Sequence, residues 1–417
     1  MPMSATETKR GSWEEFLLLA ADEISLSPAQ YKTIDDRYSV LQDVLSASSS
    51  PLLAEAHIFV QGSMGLKTTI KPVSGAPEDL DTIDADAVVW LPHAQEASAQ
   101  EVLETIEKRF VEGSRVEAEI KQLRRGVRVV YADENPGFHI DVTPARAVDG
   151  NPEEEGQGRL EVPDRETGWK ASSPRPYSSW LESASARTIA WESYAEFTKG
   201  HRVYDSATQD PLPAYEDYAD GNALRATIKL LKRHRDEWAI RTGRVASRPI
   251  SAVITTLATH AYLDVAQQSM TKPLRPLDAI LAIVRRMPDF VQYRGRDWYV
   301  CNPKDPGENF AEKWNRPQEG EHYRAAFSDW HASASESVSL GLENFDSNDA
   351  FEKAINESFG IGPAFVKRVN NSIPANWTLP GRPEGTTRNL SSMSLLLGGA
   401  SGSSQSQAAV KPVGRLG

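Results

Sequence analysis

Cysteine is almost missing from this chain: Cys301 is the only one in 417 residues. A single thiol excludes an internal disulfide framework and a cysteine-built zinc site, and it suits a reducing compartment. Long apolar runs are missing too. No stretch approaches the roughly 18 to 20 apolar residues of a membrane-spanning helix, and Met1 to Ser12 has no apolar signal core. The expected location is cytoplasmic, with no membrane partner. Positive charge is in deficit: 46 Lys and Arg stand against 58 Asp and Glu, a net charge of −12. No overall basic field draws in a polyanion, so no stable nucleic-acid partner is expected. There is no internal repeat and no G-x-x-x-x-G-K-[ST] phosphate loop.

What is present is ordinary for a globular protein, 40% apolar and 25% charged. The length allows two domains or one bilobed unit. Residues 13–48 read as two helices, the second starting at Ser27-Pro28. His57 to Gln61 and Ile83 to Leu91 read as strands, and Gln100 to Val111 as a helix. Arg115 to Ile120 and Val127 to Tyr131 pair as a hairpin around Arg124-Arg125-Gly126, and Phe138 to Val142 is a further strand. This is a mixed α/β lobe. Residues 150–177 read as a long surface loop. Beyond them Trp180–Lys199, Ala223–Trp238, Ile250–Ala266, Leu277–Arg286, Tyr323–Leu342 and Ala350–Phe359 read as helices. The expected fold class is thus α/β and bilobed, with residues 1–175 as the catalytic lobe and 176–380 as a helical lobe. Residues 381–417 are expected to be a flexible tail, since Leu390 to Val410 carries no charge.

The chemistry concentrates in the first third. Gln61-Gly62-Ser63 turns the chain after a strand, and Asp84-Ala85-Asp86 runs into the apolar segment to Leu91. Alternate residues of a strand share a face, so Asp84 and Asp86 project together. Ala85, Val88 and Trp90 are expected on the buried side. Two such carboxylates repel unless a cation lies between them. Asp141, in His139-Ile140-Asp141-Val142, can supply a third oxygen donor from an adjacent strand. Three carboxylates suit two Mg²⁺ ions, or Mn²⁺, holding a nucleoside triphosphate such as ATP. Gly62 lets backbone approach a phosphate, and Ser63 offers it a hydroxyl and an amide. A second D-x-D, Asp79-Leu80-Asp81, lies in a segment that reads as loop. His139 and Cys301 read as packed residues, and Arg124 and Arg125 as hairpin-tip residues.

These residues resemble the nucleotidyltransferases of the DNA-polymerase-β superfamily. Within it they resemble the bacterial cGAS/DncV-like enzymes (CD-NTases) that make cyclic oligonucleotide signals in antiphage defence. Gln61-Gly62-Ser63 with Thr68, Asp84-Ala85-Asp86, and His139-Ile140-Asp141-Val142 follow the family order Q-G-S-x-x-x-x-T, D-x-D, h-D-V. The resemblance covers roughly residues 15–360. It implies Asp84, Asp86 and Asp141 as catalytic metal ligands. It implies that Gln61, Gly62, Ser63, Lys232, Ser251 and Asn309 bind nucleotide, Lys232 and Ser251 by facing the donor triphosphate. Read alone, Lys232 also fits a solvated basic stripe with Lys229, Arg233 and Arg235; Ser251 also fits a helix cap, and Asn309 a structural turn. The implied product is a cyclic di- or trinucleotide. A linear or tRNA-end nucleotidyltransferase, or an interaction protein working through its tail, are the alternatives. In some such systems a ubiquitin-conjugation-like enzyme couples the synthase through its C-terminal glycine, which would here be Gly417. A monomer is expected.

Overall fold

A computed structural model describes residues 3–113, 119–131, 136–148, 156–190 and 223–388. Two capping boxes start the chain's first helices. Ser4 and Glu7 close α1 (Ala5–Glu23), and Ser27 and Gln30 close α2 (Pro28–Ser46), with Pro28 in the first turn. The strands β1 (His57–Gln61), β2 (Ile83–Trp90), β3 (Glu119–Gln122), β4 (Val127–Tyr131), β5 (Phe138–Ala147), β6 (Leu160–Asp164) and β7 (Gly168–Ser172) follow. They form one sheet in the order β1-β2-β5-β4-β3, with β6 added to β5 and β7 to β6. Only the β2–β5 pair is parallel. The one-turn helix α3 (Gly62–Gly65) leaves β1, and α4 (Ala99–Gly113) buries Val102, Leu103, Ile106 and Phe110.

Alternation along β2 divides two cores. Ala85, Ala87 and Val89 join α2 and α4 in one cluster with Ile34, Leu41 and Ile106. Val88 and Trp90 pack on the other face with Phe59, Ala145, Leu160 and Val162. The expectation that Ala85, Val88 and Trp90 share one buried side is therefore corrected. Val88 and Trp90 lie on the carboxylate face and are buried because β6 covers that end of it. The expected loop over 150–177 is corrected as well. It holds β6, β7 and the start of α5 (Pro174–Ser185), while residues 150–155 lie outside the described part. Short strands of mixed polarity leave little period-2 signal, which is why these were not legible.

The second lobe is built on α6 (Ala223–Thr242), packed by α7 (Ser251–Ser269), α8 (Pro276–Arg286), α9 (Gly320–Ser337), α10 (Asn348–Phe359) and α11 (Pro363–Ser372). Of the expected Trp180–Lys199 helix, α5 ends at Ser185, and residues 191–199 lie outside the described part. The basic residues of α6 are not a solvated stripe: Lys229, Lys232, Arg233, His234 and Arg235 are all buried. α1 also belongs to this lobe. Trp13, Phe16 and Leu17 pack with Leu230, Phe351, Ile355 and Phe365 rather than against the sheet. Past position 380 the chain is still anchored, since Gly381 bonds to Gly341 and Phe345. No described helix is long and apolar enough to cross a membrane.

Candidate active site

Register brings the carboxylates together. In the parallel β2–β5 pair, Asp84 lies opposite His139 and Asp86 opposite Asp141. Atoms of Asp84, His139 and Asp141 that could hold a metal ion all lie within 4.8 Å of one another. His139 is buried as expected, but it also has a partner at each ring nitrogen. Its Nε2 is 2.9 Å from Asp84 Oδ1 and its Nδ1 is 3.2 Å from Thr82 Oγ1. It thereby fixes the orientation of Asp84, whose side chain keeps 57% of its surface. Arg128 on β4 was not foreseen. It faces Asp141 across the β4–β5 ladder and donates to both its oxygens, from Nε to Oδ1 at 2.6 Å and from Nη2 to Oδ2 at 2.8 Å. A signal was there: Arg128 follows the hairpin tip at the spacing that faces Asp141. Without the strand order it cannot be read.

The three carboxylates crowd one another. Burial and the neighbouring Asp84 and Asp141 charges push Asp86 well above the usual carboxylate range. Burial likewise raises Asp141, and the hydrogen bond from Arg128 only partly offsets this. The protein walls around Asp84 work against its charge although its side chain stays open to solvent, yet the His139 hydrogen bond and the nearby Arg128 and Lys232 charges pull it below the ordinary value. Excess negative charge of this kind is relieved by a cation. The donor set, hard carboxylate oxygens of Asp84 and Asp86 facing a cleft with Asp141 within reach of Asp84, fits a divalent ion of the magnesium type.

The turn before β2 is shaped to this cluster. Gly62 has φ +61°, and a Cβ there would lie 1.9 Å from Asp86 Oδ2. Only glycine both adopts this backbone and leaves the carboxylate its place. Ser63 Oγ accepts from Thr69 Oγ1 at 2.9 Å. The competing Asp81 ends a 3₁₀ turn, Glu78–Asp81, and accepts from the Gly75 amide.

A cleft of about 610 Å³ opens over this floor and is shared by both lobes. Gln61, Gly62, Ser63, Asp84 and Asp86 line it from the sheet side, and Lys232 and Ser251 from the helices. Lys232 Nζ donates to the Thr68 carbonyl at 3.0 Å. Its burial, with Arg235 nearby, lowers its pKa to about 8. Ser251 is the first residue of α7 and its Oγ accepts from Arg235. The Thr68 and Ser247 hydroxyls line the cleft, buried and without hydrogen-bond partners among the described residues, which leaves polar capacity for a ligand.

Asn309 is placed differently. Its Oδ1 accepts from the amides of Val300 and Ala311, and its Nδ2 donates to the Trp298 carbonyl. The amide is spent on this turn, while the neighbouring Glu308 and Phe310 line the cleft. Arg124 and Arg125 do more than cap a hairpin tip. Both hold the buried Asp164, and Arg125 reaches Glu312 of the helical lobe. Cys301 is half-buried. Gly417 lies outside the described residues.

Comparison with known proteins agrees with this architecture. Residues 12–184 match the Second Messenger Oligonucleotide or Dinucleotide Synthetase (SMODS) domain. A c-di-GMP synthase of Roseivirga ehrenbergii is 22% identical over 366 residues, covering 85% of this chain and 89% of that protein. Among solved structures, the Bradyrhizobium diazoefficiens CD-NTase CdnG in complex with GTP aligns with a TM-score of 0.60 at 20% identity. It covers 87% of this chain and 98% of that one. The Escherichia coli MS115-1 CdnC with ATP aligns with a TM-score of 0.51 at 11% identity, over 84% and 98% of the two chains. The SMODS match spans residues 12–184 of the catalytic lobe and the start of the second, and the fold as a whole resembles that of these solved CD-NTases.

Proposed function

We propose that this protein joins nucleoside triphosphates into a cyclic di- or trinucleotide, and that the product serves as a signal in antiphage defence. The observation that carries the reading is the β2–β5 register. It sets Asp84 and Asp86 at the floor of a cleft, with Asp141 beside Asp86 on the next strand, and the opposite wall of the cleft presents Lys232 and Ser251. The names of the relatives, a c-di-GMP synthase and CD-NTases in complex with GTP and with ATP, support nucleotide substrates.

In this reading Asp84, Asp86 and Asp141 would hold two magnesium ions, with manganese as a substitute. When bound, such ions would offset phosphate charge and make the attacking 2′- or 3′-hydroxyl easier to deprotonate. The protein's own groups do the positioning. His139 keeps Asp84 in one orientation, from the second layer rather than as a ligand, because magnesium prefers oxygen. Gly62 brings the turn close to Asp86, where Gln61 and Ser63 meet the phosphates. Lys232 places a buried ammonium near both Asp84 and Asp86, where it offsets triphosphate charge. Asn309 shapes the turn that aims Glu308 and Phe310 into the cleft. In-line attack of the hydroxyl forms a new phosphodiester and releases pyrophosphate. A second such attack closes the ring.

The test is turnover of all four labelled triphosphates with Mg²⁺ or Mn²⁺, followed by phosphatase and mass spectrometry. A phosphatase-resistant product is expected, with its mass giving composition and ring size. Linear, phosphatase-trimmed products would overturn cyclisation. Asp84→Asn and Asp141→Asn should each reduce product at least ~100-fold, while Asp81→Asn should stay near the parent rate. Retained turnover in the first two would overturn the metal assignment.

The tail is a separate proposal, supported by the uncharged Leu390–Val410 stretch and by Gly417. A ubiquitin-conjugation-like enzyme would join the Gly417 carboxylate to a target amine. Deleting Gly417 should then abolish covalent attachment and spare synthesis in vitro. We also propose a cytoplasmic monomer, which light scattering would check.

A further inference from the structure

The helical wall of the cleft carries a chain of contacts that the reaction above leaves unused. Asp236 and Arg235 are neighbours on α6, buried to 5% and 7% exposure. Arg235 Nε donates to Asp236 Oδ1 at 2.8 Å, and its Nη2 lies 2.7 Å from the same oxygen. The remaining arm of the guanidinium, Nη1, donates to Ser251 Oγ at 2.8 Å. Asp236, Arg235 and Ser251 all line the cleft.

Donor chemistry gives this series a direction. A guanidinium has five N–H donors and no acceptor. Ser251 Oγ can therefore only accept from Arg235, and its single hydrogen is left for another group. No described protein group accepts it. The carboxylate of Asp236 fixes the rotation of the guanidinium, and the guanidinium fixes and polarises the hydroxyl. Burying an arginine and an aspartate at this spot is costly unless they are paired as they are here. A serine that merely capped α7 would need no such support.

We infer that Asp236 and Arg235 are positioning residues that hold the Ser251 hydroxyl as a donor to the substrate triphosphate. The inference rests on the phosphate role proposed above for Ser251. It differs from direct contact between Arg235 and phosphate, because the effect of Arg235 must then pass through Ser251.

A double-mutant cycle tests this by calorimetric binding of GTP and GMP, with ATP and AMP as a second pair, to the full chain with Mg²⁺. Ser251→Ala should weaken triphosphate binding about tenfold, the worth of one charge-assisted hydrogen bond, and leave monophosphate binding unchanged. Arg235→Lys, which cannot serve Asp236 and Ser251 with one planar fork, should lose a similar factor. The double variant should bind no worse than Ser251→Ala alone. Asp236→Asn keeps an acceptor for the fork and should lose only about threefold. Losses that multiply to about a hundredfold would overturn the relay, since Arg235 would be acting independently. So would unchanged binding in Arg235→Lys. Should that variant melt before binding can be read, the Asp236→Asn and Ser251→Ala pair completes the same cycle. Wild-type protein that binds triphosphate no better than monophosphate would instead overturn the phosphate roles proposed for Lys232 and Ser251.

Discussion

Single side chains in the cleft are tuned by what surrounds them. Lys232 shows this best, with its pKa lowered to about 8 by burial and by Arg235, against the pull of Asp236, Asp84 and Asp86. Below about pH 8 the lysine is charged in both folded and unfolded chains, and burying that charge costs stability. Between about 8 and the unfolded lysine value near 10.4 the unfolded chain binds more protons, so stability rises with pH. Substrate affinity should move the other way. Triphosphate binding is expected to weaken above about pH 8, by up to tenfold per unit, as the ammonium is lost. Lys232→Arg, which stays charged, should flatten that limb in a pH series of dissociation constants. At this scale the sequence was informative where a motif was compact. Asp84, Asp86, Gly62 and Ser63 could be picked out from spacing alone. Arg128 and the Asp236–Arg235 pair could not, since their partners are 13 to 16 residues away and were joined only by folding.

Among the elements, the β3–β4 hairpin depends on one buried carboxylate. Asp164, at the end of β6, receives Nε of Arg124 at 2.9 Å and Nε of Arg125 at 3.1 Å, and its side chain is fully buried. Burial opposes its charge, but the Arg124 hydrogen bond, the Glu166 amide and Arg125 together hold it far below the usual carboxylate range. Arg124 and Arg125 keep about a third of their surface, so water can solvate them once the carboxylate is gone. Asp164→Ala should therefore cost about 2 kcal/mol in denaturant unfolding, the worth of hydrogen bonds to a charged group. It should also raise amide exchange at Val127–Tyr131, on the strand that carries Arg128. One helix start was legible because its capping signal is local: Ser27-Pro28 starts α2 where expected, whereas α1 begins at Ala5 rather than near residue 13 and α5 at Pro174 rather than Trp180. β6, β7 and α11 were not legible. Their residues alternate poorly, and the neighbours that stabilise them come from distant segments.

Across the whole molecule, the chain enters the helical lobe, leaves to build the sheet and returns. α1 makes that circuit: Trp13 is fully buried, stacks on Phe16 with ring centroids 5.1 Å apart and donates to the Val338 carbonyl at 2.8 Å. Trp13→Ala should cost about 3 to 5 kcal/mol in urea unfolding. Hydrogen exchange should show protection lost first in α10, which shares this core, and not in β2. A uniform loss across both lobes would mean that the lobes unfold as one unit. Some properties follow from composition and local pattern: one cysteine, no membrane-length apolar run, a net negative charge and a D-x-D on an apolar strand. These set the class of protein and its acidic centre, because alternation and charge act over a few residues. Tertiary structure decided that Asp141 lies beside Asp86, that α1 joins the helical core, and that the basic residues of α6 face inward. Strand order and lobe packing depend on contacts between segments far apart in the chain, and no local signal encodes which of them will meet.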